Sequence, residues 1–412
     1  MCYGRGVIRL DPIRPDMKLP AETTEQLRKV VAQTLALPEA PAPWGGYLAW
    51  DGDRVIGTCA FKNAPSPGRA PEIAYFTFPP FEGRGYAAAM ARELVLLARA
   101  AGVTSVVAET LPEANPSTRV LQRVGFHRAG EGVEDEVGRT WRWSLTLRTS
   151  IMGVVNVTPD SFSDGGLFFE PATAITHGRA LAAAGADILD VGGESTRPGA
   201  AEVSEADELA RVIPVIRGLR GAAPEISIDT MKPAVAAAAL EAGANLVNDV
   251  TGLRESDALA RLAAKAGARL CVMHMQGVPR TMQNDPRYED VVGEVLGFLR
   301  GAVERAVAAG VPRQRVIVDP GIGFGKTFDH NLTLLKHLGR FRELEVPVLV
   351  GCSRKAFLGA LTGGKPPRER DVATAATVAV TAMMGTADIV RVHAVSEARD
   401  AAAVGDAVRT AR

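Results

Sequence analysis

The sequence is 412 residues long and carries 47 basic and 47 acidic side chains, so its formal net charge is zero. This balance argues against a general nucleic-acid or anionic-membrane binder, which would carry a basic excess. The first residues lack the apolar core of a signal peptide, and no run of about 18 apolar residues predicts a membrane span. The cysteines, Cys2, Cys59, Cys271 and Cys352, are scattered without a CxxC pair. We therefore expect a cytoplasmic protein in a reducing compartment, and the length favours two domains.

The first 150 residues alternate strand-like and helix-like segments in an order that predicts a small α+β domain. Strands are predicted at "GVIRLDPI", "EIAYFTF", "TSVVAETL" and "TWRWSLTLR", helices at "ETTEQLRKVVAQTLAL", "YAAAMARELVLLARAAG" and "NPSTRVLQRVGF", and a hairpin around Asp51-Gly52. The turn "FEGRGYA" (81–87) joins a strand to a helix. Backbone N–H groups at such a helix start can hold a diphosphate.

Two segments after this turn carry a family resemblance. "GRGYAAAMARELV" and "VVAETLPEANPSTRVLQRVGF" resemble the GCN5-related N-acetyltransferase family, especially its branch that acetylates protein N-termini, over residues 5–147. The resemblance implies acetyl-CoA as a cofactor. Its diphosphate would lie at Gly83, Arg84 and Gly85, and its pantetheine arm near Asn115.

The N-terminal segment also departs from that family. Pro80 stands where the family has Gln or Arg, three residues before the first glycine of the turn. Glu72 and Glu109 are candidate general bases by position, and each is equally compatible with an ordinary strand or surface acid. Two alternatives stay open: a domain that binds acetyl-CoA, with or without N-acetyltransferase activity, or a degenerate module that stabilises or positions the second domain.

From residue 151 onward the chain repeats a short apolar run, a Gly-rich turn and an amphipathic helical stretch. Eight such units predict a (β/α)₈ TIM barrel, so the whole chain is α/β. An open doubly wound sheet is the alternative, although it seldom needs eight units. We place the domains at 1–148 and 149–412. The short join "LTLRTSIMG" predicts restricted relative motion.

Polar side chains stand at the end of every predicted barrel strand. They are Asn156, Asp190, Asp229, Asn248, His274, Asp319, Ser353 with Lys355, and Arg391 with His393. Because the carboxyl ends of barrel strands carry the active site, this set predicts one convergent polar pocket.

The residue types in this set indicate the ligand chemistry. Asp229 and Asp319 are acceptors for a flat heterocycle rich in N–H donors. Positive charge for an anion is expected from Lys355, Arg391 and His393. Asn156 offers a neutral oxygen to Mg²⁺, which commonly takes few protein ligands besides phosphate oxygens. Two polar loops, 156–166 and 192–204, are predicted to act as lids. Together these features suggest transfer of a group attached to the heterocycle, with diphosphate leaving.

The ordered motifs of this half resemble the dihydropteroate synthase family. They are "NVTPDSFSDGG", "GGESTRPG", "SIDT", "NDV", "MHMQG", "DPGIGFGK", "GCSRK" and "RVH", and the resemblance covers residues 151–412. The family joins 4-aminobenzoate to the methylene carbon of a 7,8-dihydropterin diphosphate, releasing diphosphate and forming dihydropteroate for folate synthesis. The resemblance also implies competition by sulfonamides and a homodimer formed through the barrel. The balanced charge predicts no nucleic-acid or membrane partner.

The resemblance assigns roles to residues by matching motif. The implied catalytic set is Lys355, Arg391, His393, Asp164 and Arg197. The pterin would be held by Asp229, Asn248, Asp319 and Lys355, the diphosphate by Arg391 and His393, and Mg²⁺ by Asn156. The lids would supply Asp164, Thr196 and Arg197, and the aminobenzoate would lie beside Ser353, Phe324 and Pro198. Gly351 and Asp190 complete the substrate-binding set.

Two alternatives compete with the synthase. One is a pterin-dependent methyltransferase, which shares the barrel and the pterin pocket but acts with a corrinoid. The other is a non-catalytic pterin-binding protein, which would bind pterin without releasing diphosphate.

The stretch "DPGIGFGKT" (319–327) resembles a nucleotide-binding loop at first sight. Pro320 stands where a P-loop requires glycine, so the ATP interpretation fails. We expect the glycines to let backbone pass close to a flat ligand, and Lys326 to be an ordinary loop charge. His274 is compatible either with packing at the barrel mouth or with a ligand contact.

Overall fold

The structure, a computed structural model, describes residues 8–17, 25–35, 41–66, 69–134, 138–158, 170–195 and 202–411. The chain divides into two compact units, Met1–Arg148 and Thr149–Arg412. Each unit has its own hydrophobic core. None of the described helices combines the length and apolarity that a membrane span requires.

The N-terminal unit is an α+β domain. Its elements are β1 (Arg9–Pro12), α1 (Glu25–Leu35), β2 (Gly46–Asp51), β3 (Arg54–Phe61), β4 (Ile73–Thr77), α2 (Tyr86–Ala100), β5 (Ser105–Thr110), α3 (Pro116–Val124), β6 (His127–Glu134) and β7 (Gly138–Thr146). The strands form two antiparallel sheets, in the orders β1-β2-β3-β4 and β5-β7-β6. A parallel bridge between Glu72 and Val107 connects them.

Helix α2 supplies much of the core of this unit. Its buried residues include Met90, Leu94 and Ala98, which recur every four positions and so lie on one face of the helix. They belong to one buried cluster with Ile56 of β3 and Trp143 of β7. The predicted α+β arrangement is confirmed.

Strand β6 is an addition to the predicted elements. Its sequence, "HRAGEGVE", has one β-branched residue, Val133, and no Phe, Tyr or Trp, so propensity does not reveal it. It forms the edge of its sheet, and among the described strands it pairs only with β7. Pairing with an aromatic-rich neighbour has overridden a weak local preference.

The C-terminal unit alternates strands and helices. Its elements are β8 (Ser150–Asn156), α4 (Pro171–Ala183), β9 (Ile188–Gly192), α5 (Glu205–Gly218), β10 (Glu225–Asp229), α6 (Pro233–Ala242), β11 (Leu246–Asp249), α7 (Ala258–Ala266), β12 (Arg269–Met273), α8 (Val291–Ala308), β13 (Val316–Asp319), α9 (Phe328–Lys336), β14 (Leu349–Val350), α10 (Ala356–Leu361), α11 (Asp371–Met384), β15 (Ile389–Val392) and α12 (Val395–Arg409).

The eight strands of this unit form one parallel sheet that closes on itself. The order is β13-β12-β11-β10-β9-β8-β15-β14. A parallel bridge between Val318 and Val348, the residue before β14, joins the two ends. The predicted (β/α)₈ barrel is confirmed. Its outward strand residues pack against the helices in one large core cluster.

Candidate active site

The inward face of the barrel changes from apolar to polar along its strands. Seven strands contribute one buried apolar layer: Met152, Ile188, Leu246, Cys271, Ile317, Leu349 and Ile389. Because strand side chains alternate, the residue two positions later faces the same interior, nearer the carboxyl end. On five strands those residues are Asp190, Asn248, Asp319, Gly351 and Arg391. We call this set, together with Asp229 of β10, the polar layer.

Arg391 is held between two carboxylates in the polar layer. Its Nε donates to Asp190 Oδ2 at 2.6 Å, and its Nη2 donates to Asp229 Oδ2 at 2.8 Å. The side chain of Asp190 is 0% exposed and that of Asp229 is 11% exposed. One guanidinium therefore serves two buried acids, and removing it would leave both without a counter-charge.

Burial sets the protonation of this cluster. It raises the pKa of Asp229 to about 7; Arg391 opposes the shift and Asp190 adds to it. Although burial disfavours the Arg391 cation, Asp190 and Asp229 raise the pKa of its guanidinium, so it stays charged. Asp229 is thus an acid of the polar layer that can gain or lose a proton near neutral pH.

Asp190 supports its neighbours from within the barrel. Its Oδ2 accepts from Asn248 Nδ2 at 3.2 Å as well as from Arg391. Its Oδ1 is buried and has no hydrogen-bond partner among the described residues. The residue has no exposed surface. Its contacts are those of a residue that orients Arg391 and Asn248, and its predicted contact with the substrate stays a prediction.

The other half of the pocket contains Asp319 of the polar layer and Lys355, which follows β14. Asp319 Oδ1 accepts the backbone N–H of Gly321 at 2.7 Å, while its Oδ2 has no hydrogen-bond partner within the described part of the chain. Lys355 Nζ donates to the carbonyl of Ile322. Burial raises the pKa of Asp319 and lowers that of Lys355 to about 8, and each charge opposes the shift of the other. A Cβ at Gly351 would lie 3.9 Å from both Asp319 Oδ2 and Lys355 Nζ, so the glycine leaves room for a ligand edge between them.

Ser353 fixes the state of His393. The backbone N–H of His393 donates to Ser353 Oγ at 3.1 Å, and Oγ lies 2.8 Å from His393 Nδ1. Burial, followed by the charges of Arg354 and Arg391, lowers the pKa of His393 to about 3, which favours a neutral ring instead of the predicted positive charge. We assign the tautomer in which the Ser353 hydroxyl donates to Nδ1 and the ring proton lies on Nε2, because this arrangement satisfies both groups.

Lys326 is buried, and the expectation of an ordinary loop charge is wrong. Its Nζ donates to His274 Nδ1 at 2.9 Å, to the carbonyl of Phe324 at 3.0 Å and to the carbonyl of His274 at 3.4 Å. Burial lowers the pKa of Lys326 to about 7, an effect that Asp319 opposes. Phe324 itself is partly exposed, and Lys355 Nζ lies 4.4 Å from its ring centroid.

Strand alternation explains the position of His274. Met273 follows the apolar-layer residue Cys271 by two positions, so His274 points to the opposite side. Its ring packs edge-on against Phe298 of α8, with centroids 5.0 Å apart, and burial lowers its pKa to about 3. Of the two alternatives for His274, the structure shows packing.

The glycines of "DPGIGFGKT" serve contacts between protein segments. Gly321 has φ +67°, and a Cβ there would lie 1.9 Å from the carbonyl oxygen of His274. A Cβ at Gly325 would lie 2.5 Å from the carbonyl of Gln276. The close approach is thus to the loop after β12, whereas the sequence analysis expected an approach to the ligand.

Asn156 ends β8, and its side chain makes no hydrogen bond to any described residue. The part of the chain that the structure describes contains no group of three or more His, Cys, Asp or Glu side chains arranged to hold a metal ion. A cation here would depend on one neutral amide oxygen together with ligand oxygens and water, which fits Mg²⁺. The predicted lid residues Asp164, Thr196, Arg197 and Pro198 lie outside the described residues.

A buried ionic cluster that no sequence motif predicted lies beside the site. Lys232 Nζ binds Glu194 Oε2 and, at 2.6 Å, Glu208 Oε2. Glu194 Oε1 also accepts the backbone N–H of Val203 at 3.1 Å. Glu194 and Lys232 follow two neighbouring parallel strands, β9 and β10, and this placement is the signal that could have paired them.

In the N-terminal unit, the predicted diphosphate-binding turn precedes α2. Gly83 and Gly85 have φ of +73° and +88°, and Gly85 caps the helix without a side-chain hydrogen bond. The Arg84 guanidinium lies 5.9 Å from the ring centroid of Phe81. Asn115 caps α3, where its Oδ1 accepts the Thr118 N–H at 3.0 Å.

Both candidate bases of this unit are engaged by neighbouring side chains. Glu72 forms an ion pair with Lys62 at 2.7 Å. Glu109 Oε2 accepts the hydroxyl of Thr140 at 2.5 Å. These contacts favour the interpretation of both residues as ordinary strand acids.

Comparisons with known proteins agree with this architecture. A family model described as pterin binding enzyme matches residues 152–393, and one described as acetyltransferase (GNAT) domain matches residues 11–127. The dihydropteroate synthase of Escherichia coli is 45% identical over 263 residues, which covers 64% of this chain and 92% of the relative. The chain belongs to the dihydropteroate synthase family.

Solved structures of dihydropteroate synthases match the same part of the chain. The Yersinia pestis enzyme in complex with a sulfonamide drug is 44% identical with a TM-score of 0.62, and the match covers 65% of this chain and 97% of that one. The Xanthomonas albilineans enzyme with 4-aminobenzoic acid is 45% identical with a TM-score of 0.59, covering 65% and 96%. The predictions of the dihydropteroate synthase family, of the barrel and of a transferase are therefore confirmed.

The geometry around His393 yields a prediction for the unliganded protein. The imidazole of His393 should stay neutral between pH 5 and 8 with its proton on Nε2, because its pKa is about 3 and Ser353 donates to Nδ1. Nitrogen-15 NMR of labelled histidine measures this, and His393→Gln assigns the signal among the six histidines. In Ser353→Ala the fixed tautomer should be lost. A titration midpoint near 6.5 in the unsubstituted protein would contradict the assignment.

Proposed function

We propose that the C-terminal unit condenses 4-aminobenzoate with (7,8-dihydropterin-6-yl)methyl diphosphate, giving 7,8-dihydropteroate and diphosphate. The observation that carries the proposal is that the polar layer and Lys355 set hydrogen-bond acceptors and two partly buried cations, Arg391 and Lys355, in one pocket. The Xanthomonas albilineans relative has been solved in complex with 7,8-dihydropteroate, at 42% identity and a TM-score of 0.57. The 45% identity to the Escherichia coli synthase favours this activity over a pterin-dependent methyltransferase.

The pterin fits the acceptors that remain without partners. Asp319 Oδ2 and Asn248 Oδ1 accept no hydrogen bond from the described residues, so both can receive pterin N–H groups. Asp229 is bound to Arg391 Nη2, so a pterin N–H must share or replace that contact. Arg391 can retain its hydrogen bond from Nε to Asp190 when the contact to Asp229 is replaced. Ligand binding therefore exchanges hydrogen bonds in this layer and leaves no buried charge without a partner.

Arg391 and His393 are the proposed groups for the diphosphate. The guanidinium is a permanent cation with a geometry suited to phosphate oxygens, and neutral His393 adds the Nε2–H donor. Asn156 would hold Mg²⁺ through its amide oxygen. When bound, Mg²⁺ would neutralise charge on the departing diphosphate.

The proposed reaction breaks the C–O bond between the methylene carbon and the diphosphate. It forms a C–N bond between that carbon and the amine of 4-aminobenzoate, which then loses one proton. Asp229 and Asp319 stabilise positive charge on the pterin ring as diphosphate leaves. The lids would exclude water, with roles for Asp164, Thr196, Arg197 and Pro198, and Ser353 and Phe324 would border the aminobenzoate. Sulfonamides would compete at that side.

A synthase assay tests this function. Wild-type protein should form dihydropteroate from pterin diphosphate, 4-aminobenzoate and Mg²⁺, and Asp229→Asn and Lys355→Ala should lower kcat/KM about 100-fold or more, because each leaves buried polar partners unmatched. Lys265→Ala, on the exposed end of α7, is the matched control and should leave the rate unchanged. Pterin binding without diphosphate release would instead identify a non-catalytic pterin-binding protein.

We further propose that the N-terminal unit binds acetyl-CoA at the turn Gly83–Gly85, with the pantetheine arm beside Asn115. Support comes from the GNAT family model and from the left-handed conformation of both glycines before an uncapped helix start. Acetyl transfer by this unit would need a base other than the engaged Glu72 and Glu109.

Calorimetry separates a functional cofactor site from a degenerate module. Acetyl-CoA should bind the full chain, and acetyl-pantetheine, which lacks the diphosphate, should bind at least about tenfold more weakly because the turn has no anion to contact. The absence of acetyl-CoA binding would leave only a structural role for this unit.

We also propose a homodimer formed through α10 and α11. These helices expose an apolar face that includes Leu361, Val372, Val380 and Met384, and a second copy would bury it. Sedimentation of the full chain distinguishes dimer from monomer.

We also propose a cytoplasmic location. Cys59, Cys271 and Cys352 are free thiols, which fits a reducing compartment.

A further inference from the structure

The loop between β13 and α9, residues 319–327, is bonded along almost its whole backbone. Four consecutive carbonyls each accept from a different side chain. The donors to residues 322, 323, 324 and 325 are Lys355 Nζ, Gln283 Nε2 at 2.5 Å, Lys326 Nζ at 3.0 Å and the hydroxyl of Tyr288 at 2.8 Å. Such a loop has one conformation held by its surroundings, which is unusual for a glycine-rich segment.

His274 holds both ends of this loop. Its backbone N–H donates to the carbonyl of Asp319, where the loop begins, at 3.0 Å. Its ring Nδ1 and its carbonyl accept from Lys326 Nζ, where the loop ends. An ammonium has three protons, and Lys326 has three acceptors: the two on His274 and the carbonyl of Phe324. We call the Lys326–His274 contact the clasp.

The clasp acts on Phe324, which borders the proposed aminobenzoate position, and through Phe324 on Lys355, a proposed pterin contact. Lys326 fixes the backbone of Phe324 by binding its carbonyl. The ring of Phe324 then lies against Lys355, whose Nζ is 4.4 Å from the ring centroid and is also bonded to the carbonyl of Ile322 in the same loop. Because the side chain of Lys326 is 3% exposed, it reaches the substrate only through these neighbours.

We propose that Lys326, clasped to His274, is a positioning residue that holds Phe324 against Lys355 and thereby sets the affinity for the arylamine substrate. The inference rests on the proposed synthase function and adds a determinant for its second substrate. Lys326, whose position in "FGKT" resembles that of a phosphate-binding lysine, instead holds the loop beside the arylamine by binding His274.

A double-mutant cycle tests whether Lys326 acts through Phe324. Lys326→Met removes the three donated hydrogen bonds and keeps the aliphatic stem. It should raise KM for 4-aminobenzoate about tenfold while changing KM for the pterin diphosphate less than about threefold. Phe324→Ala should raise the same KM. In the Phe324→Ala protein, Lys326→Met should add less than about twofold, because the residue it positions is gone.

The controls keep the proposal separate from the synthase function itself. Turnover by wild-type protein shows that the function holds, and Lys265→Met, an exposed lysine, should leave both KM values unchanged. If Lys326→Met does not fold, His274→Phe replaces it in the cycle, since it removes the ring acceptor of the clasp, keeps an aromatic ring against Phe298 and should act in the same direction. Fully multiplicative effects, or equal increases in both KM values, would overturn the proposal. An inactive wild-type protein would overturn both proposals together.

Discussion

The guanidinium of Arg391, buried between Asp190 and Asp229, is the interaction on which the rest of the site depends. The two acids are tolerated at the mouth of an apolar barrel only while the one cation lies between them. Asp190 has no exposed surface and holds Arg391 and Asn248 in place through hydrogen bonds. The pKa of Asp229 is about 7, so this acid can titrate near neutral pH. The position of every other group in the polar layer follows from strand alternation around this cluster.

In the unliganded pocket, protein groups make hydrogen bonds with one another that a substrate can replace. Arg391 donates to Asp229, and Lys355 donates to a backbone carbonyl of the loop after β13. A pterin that offers N–H groups and carries a diphosphate can take over both kinds of contact, since it brings donors for the acid and an anion for the cations. Neutral His393 fits this scheme because it adds a donor without adding a further buried charge.

Much of the barrel site could be predicted from sequence, and the failures have physical causes. In each of several strands a short apolar run ends in a polar residue. This pattern predicts the strand, the side that faces the barrel interior and the end that lies in the site, as at Asp190, Asn248, Asp319 and Arg391. The direction of a loop side chain carries no such periodic signal, so the sequence predicts an ordinary loop charge at Lys326, although the residue is buried. Likewise, sequence shows that His393 can be charged but not that burial and two arginines lower its pKa. Strand β6 was missed because only its partner strand specifies it.

The most direct measurement of the central claim is hydrogen exchange in β9 and β10 of Arg391→Met, unliganded and at pH 8, where Asp229 of the wild-type protein is largely ionised. Loss of the guanidinium leaves two buried acids without a counter-charge, so each must either remain an unpaired carboxylate or take up a proton, at a cost of about 3 to 5 kcal/mol. The account predicts that the slowest amides of these strands exchange about 100-fold faster or more. It also predicts that adding Asp190→Asn and Asp229→Asn restores most of the protection. Exchange in Arg391→Met at the wild-type rate would contradict it.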